Sequence, residues 1–490
     1  MNFSEHIERV AAAPACRDNF LADGRLTCPY PALPGELEAI GRYLAGQGIT
    51  DGDCLAVECV NSVPSALLLI HLLRQGMGFA LLPPSEYADQ ASALKPPPRF
   101  CSHRVTVLPV MDKDGAPVSE RPERYFKVEP RKWESAESLP DLETAGKLFI
   151  RTSGSMGAAK IVVHSQDKVL GNALNCVEKY RFTAEDRMAI PVPIFHMYGF
   201  GAEFLPALLV GGSMDLQENT NLLKYLDRER RFQPTIAFVT PNLCEMLIRG
   251  RKSPRPYKVM VTSGQRIKEE LFRALDPLCG NRLVNQYGST EMGAIAACDP
   301  DESLDVRATT IGRPMGGVQL RIDGQDAARV GDLYCRHPFG FEGYMDEEGR
   351  WLSRAAEWHR TGDSAKANTD DKVMVVGRAD DSINRSGYLV LLPDIENALE
   401  TLDTVGQAVV LATRSETIQG QRLIAFCVGK SGHTPTGSQI RAAGAKILPK
   451  YAVPDDVAVL DALPLLPSGK VDRQALAALA ERQTSIASET

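Results

Sequence analysis

Two periodicities alternate along the first part of the chain. Leu37, Ile40, Tyr43 and Leu44 recur at helical spacing and stop at Gly46-Gln-Gly48, which predicts a helix with a glycine-marked end. Cys54-Leu-Ala-Val-Glu-Cys-Val60 then reads as a strand, Ser65 to Arg74 as an apolar helix and Phe79-Ala-Leu-Leu82 as a buried strand. Unbroken apolar strands separated by helices predict a parallel sheet covered on both faces. The alternation returns farther on, where Val239 and Val259–Val261 are strand-like and Leu243–Leu247 and Glu269–Leu275 are helical. Residues 110–145 are charged, contain proline and show weak periodicity, so they are expected to form surface loop.

After residue 320 the pattern shortens. Val318–Ile322 and Leu333–Arg336 are strand patterns set between Gly and Asp turns. Residues 366–372 are polar and precede the strand-like Val373–Val376. Farther on, Ile395–Leu402 and Ile440–Leu448 read as helices, Ala408–Ala412 and Leu423–Val428 as strands, and Gln483–Thr490 as a frayed tail. The expected fold class is α/β. A large N-terminal region of parallel-type sheets with helices, residues 1–377, precedes a small mobile α+β domain, residues 378–490. A chain of 490 residues is also longer than one hydrophobic core supports.

Bulk properties narrow the classes of partner. Hydrophobic content of 44% and charged content of 24% are those of a globular protein. A net charge of -7 argues against a general nucleic-acid binder, which would carry a basic stripe. The N-terminus lacks a basic segment followed by an apolar run, and the apolar stretch Ala66–Leu73 is too short to span a bilayer. The 11 cysteines are scattered, and Cys54 and Cys59 lack a C-x-x-C spacing. Reduced thiols in a cytoplasmic enzyme, with neither membrane nor nucleic-acid partner, are therefore expected.

Five segments carry chemistry. In Ile150-Arg-Thr-Ser-Gly-Ser-Met-Gly-Ala-Ala-Lys160, small and hydroxylated residues crowd before a lysine. Such a loop can aim several N–H and hydroxyl groups at one anion. It is not the common P-loop, which needs Gly before the lysine and Ser or Thr after it; here those places hold Ala159 and Ile161. In Asn285-Gln-Tyr-Gly-Ser-Thr-Glu291 an aromatic ring can stack on a purine, an amide can read its edge, and Thr plus Glu can hold Mg²⁺ against phosphate. Asp363, after the Gly turn of Trp358-His-Arg-Thr-Gly-Asp, can accept both hydroxyls of a ribose. Gly377-Arg-Ala-Asp380-Asp-Ser-Ile-Asn-Arg-Ser-Gly387-Tyr-Leu389 falls at the expected domain junction, where a few residues can absorb a large backbone rotation. Pro464-Leu-Leu-Pro-Ser-Gly-Lys470 puts a lysine on a Gly-flanked loop, where by itself it reads as a solvated charge.

Together, and in this order, these segments resemble those of the adenylate-forming enzymes: acyl- and aryl-CoA synthetases, adenylation domains and firefly luciferase. The resemblance covers nearly the whole chain. It assigns phosphate contact to Thr152, Ser153, Gly154, Ser155, Gly157 and Lys160, adenine contact to Asn285 and Tyr287, and phosphate and metal to Thr290 and Glu291. Asp363 takes the ribose, Arg378 helps hold the nucleotide, Asp380 is the hinge and Gly387 lies beside the tunnel for the thiol. Lys470 becomes the principal catalytic residue, bridging the substrate carboxylate and the α-phosphate. Pro193-Ile-Phe-His196-Met-Tyr-Gly is similar to the segment in which CoA synthetases place a histidine near the carboxylate. Amino-acid-activating members typically have Asp where His196 stands, so an α-amino acid is disfavoured.

The acid pocket is expected to involve His196, Thr240, Ser263-Gly264, Gly288, Gly293 and Ala294, whose small size leaves room for an aryl or medium acyl acid. The implied activity joins a carboxylic acid, through an acyl-adenylate made from ATP with Mg²⁺, to the thiol of CoA or of an acyl carrier protein's phosphopantetheine. One departure favours a second reading: many members have Arg where this chain has Leu389, with Arg385 a substitute by position. That reading is a catalytically weak nucleotide-binding homologue with a regulatory or scaffold role. A luciferase-like oxygenase is a third, requiring a special acid.

Overall fold

The structure is a computed structural model describing residues 2–84, 96–109, 116–130, 142–151, 160–218, 221–324, 329–367, 372–378, 382–385, 388–414, 421–466 and 471–488. Among these residues the larger region holds a nine-stranded and an eight-stranded sheet. In the first, every neighbouring pair from Phe20–Ala22 across to Leu283–Ser289 is parallel, and the added edges are antiparallel. In the second, the centre is parallel, and the strands beginning at Ile161, Gly343, Trp351 and Phe126 add antiparallel edges. The expected parallel sheets are thus the centres of two mixed sheets.

Helix Val63–Gln75 explains how the sheets come together. It is buried at every position from Val63 to Leu73, so it has no water-facing stripe. It shares one continuous apolar core with Leu55 and Val57 of one sheet and Met188, Ile236 and Phe238 of the other. A helix apolar all round must be covered on every side, which is what a layer between two sheets provides. Ser62 caps its start by accepting the Ser65 N–H, and Gly76 ends it with φ +65°.

A four-stranded antiparallel sheet runs from Gln319–Asp323 to Val373–Arg378. Beyond it lie the hairpin Ser382–Arg385 with Tyr388–Leu391 and a three-stranded sheet covered by helices Leu392–Glu400 and Gly437–Ile447. Among the described residues, side chains that follow strand Val259–Thr262 reach both of these later parts, the four-stranded sheet and the last unit. Arg266 donates to the Val376 carbonyl at 2.6 Å, and Lys268 pairs with Glu400.

Two expectations fail. The stretch read as loop contains strand Phe126–Pro130, paired antiparallel with His103–Val107. Phe126 is buried while Lys127 and Glu129 face outward, so charges on an edge strand masked the alternation. Of the tail read as frayed, residues 483–488 belong to helix Arg473–Ser488, whose alanine-rich sequence has high helix propensity and whose Leu476 and Ala480 are buried, and residues 489–490 lie outside the described residues.

Candidate active site

Residues from separate motifs meet at the C-terminal ends of the parallel strands, where adjacent strands splay and loops can line a crevice. Thr262 of one strand stands beside Asn285 of the next. The chain then turns at residues 290–292 and returns antiparallel through Gly293–Ala297, with Gly288 beside Ala294. Thr240 follows strand Ile236–Val239, and Gly264 follows Val259–Thr262, so both occupy the same edge. Thr240 caps helix Pro241–Gly250, its hydroxyl accepting the Leu243 N–H at 3.5 Å.

The Met292–Ala294 turn is bracketed by a side chain the motifs did not reveal. Buried Asn172 donates to the Met292 carbonyl at 2.9 Å and accepts the Ala294 N–H at 3.1 Å. Gly293 has φ +63°, and a Cβ there would lie 2.6 Å from the Asn172 amide, so this position requires glycine twice over. Asn61 plays a similar part before His196. Its amide donates to the carbonyls of Ile190 (2.9 Å) and Val192 (2.8 Å), and its oxygen accepts the Ile194 N–H (2.9 Å). His196 itself is half-buried, its ring 4.5 Å from that of Phe195. Two residues on, the Tyr198 hydroxyl is 3.2 Å from the Val239 carbonyl and 3.1 Å from that of Val261. It thereby fastens this segment to the strand ends preceding Thr240 and Gly264.

Among the residues expected to hold the nucleotide, the Tyr287 hydroxyl donates to the Asp363 carboxylate, joining two motifs 76 positions apart. Burial, reinforced by that carboxylate, holds the Tyr287 hydroxyl well above its ordinary pKa, so it stays a donor. Asp363 is placed by strand His359–Ala367 and stands opposite Arg378 in register. The Asn285 amide reaches the Thr310 carbonyl at 3.4 Å.

The Thr290–Glu291 turn is held from three sides. Buried His164 contacts the Thr290 carbonyl at 2.8 Å, Phe341 donates its N–H to the Glu291 carbonyl at 2.7 Å, and the Tyr344 hydroxyl donates to Glu291 Oε1 at 2.9 Å. Burial lowers the His164 pKa to about 4, which keeps the imidazole neutral behind the turn. Lys160 Nζ lies 5.2 Å from the centre of the Tyr344 ring. Lys160, Tyr344 and Glu291 are therefore assembled in one place. Thr152, Ser153, Gly154, Ser155, Gly157, Asp380, Gly387 and Lys470 lie outside the described residues, as does the Arg378 side chain.

Comparison with known proteins gives the family. Residues 3–345 match the family model of the AMP-binding enzymes, and residues 394–470 match that of the AMP-binding enzyme C-terminal domain. The indoleacetate–CoA ligase of Aromatoleum aromaticum is 26% identical over 483 residues, covering 93% of this chain and 94% of the relative. Among solved structures, o-succinylbenzoate CoA synthetase from Bacillus subtilis, in complex with its acyl-adenylate, superimposes with TM-score 0.78 at 19% identity, covering 96% of this chain and 97% of that one. ATP-bound MatB from Rhodopseudomonas palustris gives TM-score 0.77 at 20% identity, with 97% and 98% covered. The chain belongs to the AMP-binding enzymes, the adenylate-forming superfamily. It is an AMP-forming acid–thiol ligase that activates a carboxylic acid with ATP.

Proposed function

We propose that this ligase activates an aryl or medium acyl acid, not an α-amino acid, and passes it to CoA or to a carrier protein's phosphopantetheine thiol. The observation that carries the reading is the pocket end held by Asn61 and Tyr198. By the resemblance, His196 on this segment stands where amino-acid-activating members have Asp, and the nearby carboxylate, Glu203, is fully buried against the Phe238 N–H, which supports a non-amino acid. The indoleacetate–CoA ligase, an aryl-acid enzyme by name, adds support.

The roles follow the chemistry. Residues 152–157 and Lys160 cradle the phosphates, Tyr287 stacks on adenine with Asn285 at its edge, Asp363 takes the ribose, and Arg378 assists. Thr290 and Glu291 are the metal residues. A single carboxylate with one oxygen engaged suits Mg²⁺, which is usually held by one or two carboxylates, waters and substrate phosphates. Among the described residues no cluster of three or more ligating side chains offers a protein-only metal cage. When bound, the cation offsets the charge on the phosphate oxygens.

In the first step a carboxylate oxygen of the acid bonds to the α-phosphorus of ATP, the bond to the bridging oxygen breaks, and pyrophosphate leaves. Lys470 stabilises the charge accumulating between carboxylate and α-phosphate. The segment beyond residue 377 then rotates about Asp380, withdrawing Lys470 and opening the passage beside Gly387. Thiol sulfur bonds to the acyl carbon, AMP departs with the electron pair of the broken bond, and the thiol proton goes to solvent. The work of the site is charge placement and gating, as expected for transfer chemistry with a mobile segment. Eleven buried, unbridged cysteines suit a cytoplasmic setting.

Pyrophosphate release with ATP and Mg²⁺ tests the reading across benzoates, cinnamates, medium-chain fatty acids and amino acids, with and without CoA. Release dependent on an aryl or acyl acid, with multiple turnovers only when a thiol is present, is the expected result. Release driven by α-amino acids alone would refute the assignment of the pocket.

A further inference from the structure

The reading above leaves one aromatic side chain without a role, although it stands between the two charged groups that matter most. Tyr344 lies on strand Gly343–Met345, which pairs antiparallel with Ile161–Ser165; Tyr344 is opposite Val162 and Met345 opposite Ile161. This register sets Tyr344 beside the end of the phosphate loop, so that Lys160 Nζ lies 5.2 Å from its ring centre. Its hydroxyl reaches Glu291 Oε1 at 2.9 Å. Phe341, whose ring is 4.9 Å from that of Tyr344, fixes the backbone of the same glutamate through its N–H. Tyr344 is thus held at its ring, at its hydroxyl and along its strand.

An ammonium and a carboxylate facing each other across an open site tend to pair directly, and a cation arriving with ATP would then have to break that pair. Both groups meet the same tyrosine, Lys160 over its ring and Glu291 at its hydroxyl. Its electron-rich face accepts the Lys160 charge, and its edge-borne hydroxyl satisfies one oxygen of Glu291. Among the described residues no second hydrogen-bond partner engages that carboxylate, so Oε2 is the oxygen presented to a metal. Hydrogen bonding of a ligating carboxylate by an outer side chain is how proteins orient a metal ligand, and its loss typically costs roughly 10–100-fold in metal affinity or activity.

We propose that Tyr344 is a positioning residue for the divalent cation. Its ring gives the Lys160 ammonium a site other than Glu291, and its hydroxyl holds Glu291 Oε1, which leaves Oε2 for the metal that ATP would carry. The inference rests on the assignment of Glu291 to the metal and adds a residue that none of the five motifs contains. Tyr344 touches neither acid nor thiol in this scheme; it acts through Glu291.

The test measures Mn²⁺ binding by the loss of free-ion electron paramagnetic resonance, on the full chain with α,β-methylene-ATP, which cannot be cleaved between the α- and β-phosphates. Wild type is compared with Tyr344→Phe, Tyr344→Leu and, as the floor, Glu291→Gln. Tyr344→Phe keeps the ring and loses the donor, so Mn²⁺ affinity in the ternary complex falls about tenfold, the lower end of the outer-ligand range. Tyr344→Leu removes the ring over which Lys160 lies as well and falls further, toward Glu291→Gln. Affinity for the analogue in EDTA, and the thermal midpoint of the ligand-free protein, stay at the wild-type values for Tyr344→Phe.

Wild-type Mn²⁺ affinity in Tyr344→Phe would overturn the proposal. So would an equal loss of analogue affinity in EDTA, which would mark a merely structural side chain. Failure of the wild type itself to take up Mn²⁺ with the analogue would also overturn it. Acid-dependent pyrophosphate release by the wild type is scored separately, so loss of the Tyr344 proposal leaves the ligase reading standing.

Discussion

The strand that presents Asn285 and Tyr287 begins at a buried ion pair, and breaking that pair has a calculable consequence. Arg307 and Asp276 meet through Nη1–Oδ1 at 2.7 Å and Nη2–Oδ2 at 3.0 Å, with side chains only 5% and 2% exposed. Arg307 also donates to the Leu283 carbonyl at 2.5 Å, while Asp276 accepts the Leu283 N–H at 3.0 Å. Both backbone groups of the first strand residue are therefore satisfied by this pair. Replacing Arg307 by Met keeps most of the volume but strands a carboxylate in the interior, which costs about 3–5 kcal/mol. Urea unfolding followed by tryptophan fluorescence should show that loss in the transition of the large region. The double variant Asp276→Asn/Arg307→Met should recover a large part of it, because a neutral amide still accepts the Leu283 N–H without an unpaired charge. A loss below about 1 kcal/mol in Arg307→Met, the size of an exposed pair, would refute the claim that this pair anchors the strand.

Other outcomes follow from the same geometry. Asp363→Ala should raise the KM for ATP by about 10- to 100-fold, the worth of hydrogen bonds to a charged group, and should abolish discrimination between ATP and its 3′-deoxy form. Retained discrimination would place the ribose elsewhere. Glu203 is fully buried, and burial holds its carboxyl well above the ordinary 4.5, so the folded state keeps a proton that the unfolded state has lost. Its contribution is complete below the unfolded value of 4.5 and declines as pH rises toward the folded value; urea melts of wild type and Glu203→Gln should therefore diverge with rising pH, the variant being flatter. Parallel curves would show that this carboxyl is not protonated in the fold. Asn172→Ala should leave the Met292 carbonyl and Ala294 N–H without their side-chain partner, costing about 1–3 kcal/mol and raising the KM of the acid more than that of ATP. Equal changes in both constants would remove the Met292–Ala294 turn from the acid pocket.

Much of the large region was legible because strands such as Cys54–Glu58 and Gly78–Leu82 are apolar, helix Leu33–Gly46 carries a regular stripe, and helix Val63–Gln75 is apolar nearly throughout. The chemistry of Asn285–Glu291 was legible for a related reason: polar and aromatic residues break the apolar run within strand Leu283–Ser289 and continue into the turn after it. Strand Phe126–Pro130 was not legible, since two charged residues on an exposed edge cancel its apolar signal. Nor were Asn61, Asn172, His164 and Tyr344. Each acts on a segment distant in sequence, through a contact set by strand pairing or helix packing; Tyr344 reaches Lys160 only because Gly343–Met345 pairs with Ile161–Ser165. An asparagine such as Asn172, in an amphipathic helix with another at Asn175, looks like a tolerated polar residue until the turn it brackets is known.

Isotope transfer tests the central claim most directly. The best acid from the panel, labelled with ¹⁸O in both carboxylate oxygens, is turned over with ATP, Mg²⁺ and the thiol acceptor, and the nucleotide product is weighed by mass spectrometry. Attack of the carboxylate on the α-phosphorus predicts AMP carrying one ¹⁸O atom. Unlabelled AMP, or ADP with the label in inorganic phosphate, would contradict an acyl-adenylate and with it the roles given to Lys160, Glu291 and Lys470.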